Sequence, residues 1–167
     1  MITVYHGSNV VVQEPLVGIG RENLDFGLGF YVTALAEQAD GWAGNKARYY
    51  MQDEGYVSLY EFDMDAAVAE FRYHKFEKYD REWLHFIVNN RDGGNDWKQW
   101  DIIEGGVAND RVIDTVENYR AGLIDEDTAL RLLSQHQPNH QICIVKQEVV
   151  DRFLRFTGSY EVKAYVE

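Results

Sequence analysis

Strand-like stretches lie toward the two ends of this chain and helix-like stretches fill its middle, an order that limits the fold sharply. "ITVYHG" near the start, "GFYVT" at 29–33 and "YVSLYEF" at 56–62 have the alternation and the aromatic and β-branched content of strands. "VAEFRY" is a weaker strand candidate. "WDII", "HQICIVK" and "FLRFTGSYEVKAYV" supply the later strands, the last of them one or two. Between these, Leu35, Ala39, Trp42, Ala43 and Ala47 follow helical spacing, with Thr33 placed to cap. Asp80 is placed to cap "REWLHFIVNNR", where Tyr79, Trp83, Phe86, Ile87 and Asn90 share one face. Asn109 or Asp110 is placed to cap "RVIDTVENYRAG", and Asp125 to cap "EDTALRLLSQH". Regular β-α-β alternation is absent, which predicts an α+β fold with a largely antiparallel or mixed sheet.

The 167 residues fit one domain spanning 1–167, with enough apolar residues for a real core. The net charge of −12 sets up a field that disfavours direct binding to nucleic acid and to anionic membranes. A small anionic ligand remains compatible with it, because Arg21, Lys46 and Arg48 flank the glycine-containing stretch below. No apolar run reaches the ~20 residues of a membrane helix. "MITVYHGSN" lacks the basic and apolar regions of a secretory leader, and Cys143 is the single cysteine. A cytoplasmic location is the expectation.

In "DFGLGFYVT", Gly27 and Gly29 stand two apart directly before a strand. Glycines there mark a turn or a close approach of backbone to something else. The dinucleotide fingerprint of doubly wound folds needs a strand before its glycines and a helix after them. Here a strand follows, which argues against that fold. The polar residues at strand ends or beside glycines are His6, Tyr31 and Gln141. Taken singly, a structural histidine, a core tyrosine and a glutamine satisfying backbone groups are the plainer readings. Pro138 breaks the helical spacing of His136 and His140, so these do not form a helical metal pair. No metal is expected. Asp63 and Asp65 in "EFDMDAA" suit a divalent ion or a turn.

Together, "YHGS", "DFGLGFYVT" and "NHQICIV", continued by "WLHFIVNNR", "DIIEGGVAND" and "SYEV", resemble the ADP-ribosyltransferase superfamily. The resemblance is to the His-Tyr type, in a bacterial family of small and often toxin-like members. It implies two small packed sheets, mixed or antiparallel, with a split central cleft that takes NAD as substrate, and flanking helices. His6 would then meet a ribose hydroxyl, and the Gly7 backbone the nicotinamide amide. Tyr31 would stack on the nicotinamide ring, with Ser8 and Thr33 lining the cleft and Gly27 and Gly29 letting backbone approach the dinucleotide. Asn109, Asp110 and Asn139 would position an acceptor or brace the cleft, and the third catalytic position falls on Gln141.

That position is usually a glutamate. Glutamine keeps the hydrogen-bonding reach and loses the charge, a difference of ~1–2 kcal/mol, or about five- to thirty-fold in rate. The implied activity is transfer of ADP-ribose with release of nicotinamide, in a toxin or effector that an antitoxin protein would neutralise. NAD hydrolysis and a non-catalytic binding module are the alternatives.

Overall fold

The computed structural model describes residues 1–109 and 112–164. In chain order its elements are β1 (Ile2–Ser8), β2 (Phe30–Val32), α1 (Ala36–Tyr49), β3 (Glu54–Phe62), α2 (Met64–Glu70), β4 (Tyr73–Lys75) and α3 (Arg81–Arg91). A 3-10 turn (Asp96–Gln99) leads to β5 (Ile102–Gly105), α4 (Ile113–Arg120), α5 (Glu126–Leu133), β6 (Gln141–Ile144), α6 (Gln147–Phe153) and β7 (Leu154–Lys163). The class is α+β, as expected from the order of elements.

The strands form two small sheets. The first is antiparallel throughout, in the order β1-β3-β7. The second has the order β2-β6-β5-β4 and is mixed, because β4 runs parallel to β5. Strand alternation sends Val4, Tyr60 and Phe62 of the first sheet toward Phe30, Val32, Ile142 and Ile144 of the second, and these side chains form a core between the sheets. Ala39 and Ala43 of α1 cover the opposite face of the first sheet at Val57. The outer face of the second sheet, at Ile103 and Cys143, packs under Trp83, Leu84 and Ile87 of α3 and residues of α4 and α5.

Asp80 and Asp125 cap α3 and α5, accepting from the Trp83 and Thr128 N–H groups. The face of α3 drawn from Tyr79 to Asn90 is buried throughout. Other expectations need correction. Most of "VAEFRY" belongs to α2 and the link after it, and only Tyr73 enters a strand. Asp63 opens α2 by accepting from Ala66 N–H (3.4 Å), and the alanines that follow favour helix over strand. Helix α6 was not expected; its Val149 and Val150 fill the core between the sheets. Thr33 does not cap α1, whose flanking residue is Leu35. Its hydroxyl instead accepts from Leu35 N–H (3.1 Å) in a tight turn ahead of the helix. Val112 flanks α4, and the Asn109 main-chain oxygen accepts from Val112 and Ile113. Asp110 lies outside the described residues.

Candidate functional site

The two sheets meet at one isolated bridge, where Tyr5 and Thr33 exchange both main-chain hydrogen bonds (2.8 and 2.9 Å). An antiparallel ladder continued from that pair would next join Gly7 to Tyr31. Among the described residues it does not continue. The Tyr31 carbonyl instead accepts from the His6 ring, whose Nδ1 lies 2.6 Å away. The strands therefore diverge after Tyr5, and backbone alternation turns the Gly7 N–H and C=O toward the gap. On its other side Gly7 touches α1, where a Cβ would come within 2.1 Å of the Ala39 carbonyl oxygen. A side chain at this position has no room.

Because a carbonyl can only accept, His6 Nδ1 carries the proton. The neutral ring then presents Nε2 as an acceptor, and that atom has no partner among the described residues. Burial pushes the His6 pKa down to about 4; the Tyr31 carbonyl opposes this and Lys46 adds to it. The ring packs on Phe30 at 4.4 Å between centroids. Next along β1, the Ser8 hydroxyl is turned to the Asn9 side chain (3.3 Å).

Tyr31 faces away from Phe30 and Val32, as alternation requires, and packs on the outer core of the second sheet. Its hydroxyl donates to the Gly27 carbonyl (2.5 Å) and accepts from Phe26 N–H (3.1 Å), so the ring is tied to the loop that precedes its own strand. Burial, followed by the neighbouring Cys143 and Asp25, holds its pKa well above the ordinary phenol range. The glycines of "GLG" meet protein. Gly27 has φ +84°, and a Cβ there would fall 2.1 Å from the Trp97 ring. At Gly29 a Cβ would lie 2.5 Å from Cys143 Sγ and 2.7 Å from the Ile144 carbonyl oxygen. The chain's own packing thus accounts for glycine at both positions.

Asp25, the first residue of this motif, has a part that sequence reasoning missed. Its carboxylate is buried and binds Arg91 (2.6 and 2.7 Å) and the Ala108 N–H (2.9 Å). Its main-chain oxygen accepts from Asn90 (2.9 Å). One residue thereby ties the Gly27 loop to α3 and to the loop after β5.

Gln141 opens β6 beside Thr33 and pairs with Gly105. The ladder puts its side chain on the face shared by Tyr31, Thr33 and Cys143. It is 3% exposed, and its Nε2 is the one buried side-chain nitrogen or oxygen without a hydrogen-bond partner among the described residues. Buried donors are rarely left so, and an orphan of this kind calls for an explanation. The two preceding residues are hydrogen-bonded. Asn139 Oδ1 accepts from Val107 N–H (2.8 Å) and from the Tyr79 hydroxyl (3.1 Å), so this oxygen braces the "GGV" loop. His140, considered in the sequence only as half of a metal pair with His136, bonds Glu104 (2.8 Å) and Ala34 N–H (3.1 Å). The signal for it was its place directly before Gln141 in "NHQICIV".

Fold and site define an α+β protein of two small sheets joined at one bridge, with a buried, unpartnered amide on the strand next to it. The chain belongs to the family described as "Protein of unknown function (DUF3990)", which matches residues 2–156. No curated protein and no solved structure matches it. No helix among the described residues is long and apolar enough to cross a membrane.

Proposed function

We propose that this chain is an NAD-dependent ADP-ribosyltransferase, with the parting of β1 and β2 as its NAD cleft. The observation that carries the reading is the unpartnered Gln141 Nε2, a buried donor that a ribose hydroxyl oxygen would satisfy. Two further features support it. His6 offers a free Nε2 acceptor, suited to a hydroxyl proton. Gly7 turns main-chain N–H and C=O toward the gap, a donor–acceptor pair complementary to a carboxamide.

In this reading Tyr31 stacks on the nicotinamide ring, while His6 and Gln141 orient the ribose. Thr33 and Ser8 line the cleft, and Asn139 braces the loop beside it. Nicotinamide leaves with the bonding electron pair, and an acceptor nucleophile bonds to the ribose carbon and gives up its proton. Gln141 aligns the sugar by hydrogen bonding and contributes no counter-charge to the cation that develops. That absence favours a second reading, a module that binds NAD without turnover.

Nicotinamide release from NAD by the purified protein, alone and with cell lysate, tests the proposal. Release that requires lysate, with label from the adenylate moiety appearing on an acceptor, is the expected result. Release in buffer alone makes the protein a glycohydrolase. Binding without release leaves the module, and absence of binding overturns the NAD reading.

A further inference from the structure

His140 is held on every polar group it has. Its ring Nδ1 accepts from Ala34 N–H (3.1 Å), and its Nε2 meets Glu104 Oε1 (2.8 Å). Its main-chain N–H donates to Gln38 Oε1 (3.2 Å), and its main-chain oxygen accepts from Gln38 Nε2 (2.6 Å). Ala34 lies in the turn between β2 and α1, Gln38 lies in the first turn of α1, and Glu104 lies on β5. Three separate segments therefore fix the residue immediately before Gln141. No such set holds the Gln141 amide itself.

The hydrogen-bond directions settle the tautomer. Nδ1 accepts from an amide N–H, so it is bare; Nε2 therefore carries the proton and donates it to the Glu104 carboxylate. The other Glu104 oxygen takes the Tyr73 hydroxyl from β4, so the carboxylate is itself oriented. The titratable and charged groups around the ring are then Glu104 on β5, Tyr73 behind it, and Lys75, whose field reaches Glu104. From α1 it meets the uncharged Gln38. A proton added at Nδ1 would face the Ala34 N–H and expel it.

We infer that His140 is a positioning residue: neutral and clamped between Glu104 and Ala34, it fixes the start of β6 and so aims the unpartnered Gln141 amide. Its consequence for catalysis rests on the NAD reading above, whereas the clamp does not. Removal of the ring releases both Ala34 and Glu104, and the amide loses its fixed direction.

Side-chain amide NMR signals of Gln141, assigned through Gln141→Met, test this without NAD. In His140→Ala, which removes the bonds to Ala34 and Glu104, the pair is expected to shift and broaden while the folded spectrum persists. In His140→Asn, whose side-chain oxygen can keep the Ala34 bond, it should stay closer to its native position. A Gln141 signal indifferent to both substitutions overturns the inference, whatever NAD does. Where nicotinamide release is measurable, His140→Ala should lower kcat about tenfold with little change in KM for NAD. In a Gln141→Ala background the same change should cost nothing more, because it acts through a group already removed. Additive losses would mean general destabilisation and sink the positioning role. Absence of release in the native protein, with the amide still responsive, would overturn the NAD reading alone.

Discussion

The Nδ1 of His6 donates across the parting of β1 and β2 to the main-chain oxygen of Tyr31, 2.6 Å away. One side chain thereby stands in for the ladder bond that Gly7 would have made, and the gap stays open without orphaning that carbonyl. The ring must be neutral for its Nε2 to accept.

Stability should record that neutrality. The unfolded histidine titrates near 6.5, and burial lowers the folded value to about 4. Between these values the unfolded chain binds a proton that the folded chain does not, so His6 costs stability as pH falls from 6.5 to 4, by about 3 kcal/mol in all. The cost is absent above that window and complete below it. Urea unfolding of the native protein and of His6→Gln across pH 4–7 should show the variant losing less.

Tyr31 carries two separable roles, and substitutions divide them. Tyr31→Phe removes the bonds to Gly27 and Phe26 and should cost about 1–2 kcal/mol, read by urea unfolding. It keeps the ring, so NAD binding should fall much less than in Tyr31→Ala. Calorimetric titration showing equal losses for both variants would remove the stacking role.

Asp25 joins three segments through a largely buried carboxylate. Asp25→Asn leaves the Arg91 guanidinium short of its partner and should destabilise by about 3 kcal/mol, with Glu117 the remaining ion pair on Arg91. Amide exchange should quicken at Ala108 and around Gly27 before it does in the core between the sheets. Uniform quickening would mean that Asp25 supports the whole fold.

Where local pattern and burial agree, the sequence was legible. Alternation in β1 and β3 and the Asp80 and Asp125 caps needed no distant information. Helices α2 and α6, seven residues each, are too short to display a helical period, and their valines read equally well as strand. The reasons for glycine at 27 and 29 were hidden for another cause. Trp97, Cys143 and Ile144 stand far along the chain, and only tertiary packing brings them against the loop. The Asp25–Arg91 pair was hidden in the same way. The His6–Tyr31 contact and the burial of the Gln141 amide likewise depend on pairings between distant strands that no local pattern displays.

Gln141 should show a conflict between stability and function. A buried donor without a partner costs about 1–3 kcal/mol, and an apolar residue of similar shape removes that cost. Gln141→Met should therefore unfold at higher urea than the native protein, and NAD should stabilise it less. Gln141→Glu probes the same position in the other direction. An ionised carboxylate would raise nicotinamide release about five- to thirty-fold. Burial at this site would hold its pKa above the usual carboxylate range, so the gain should grow as pH rises. If Gln141→Met were less stable than the native protein, the amide would have a partner in solution, and the argument for a ligand at this position would fail.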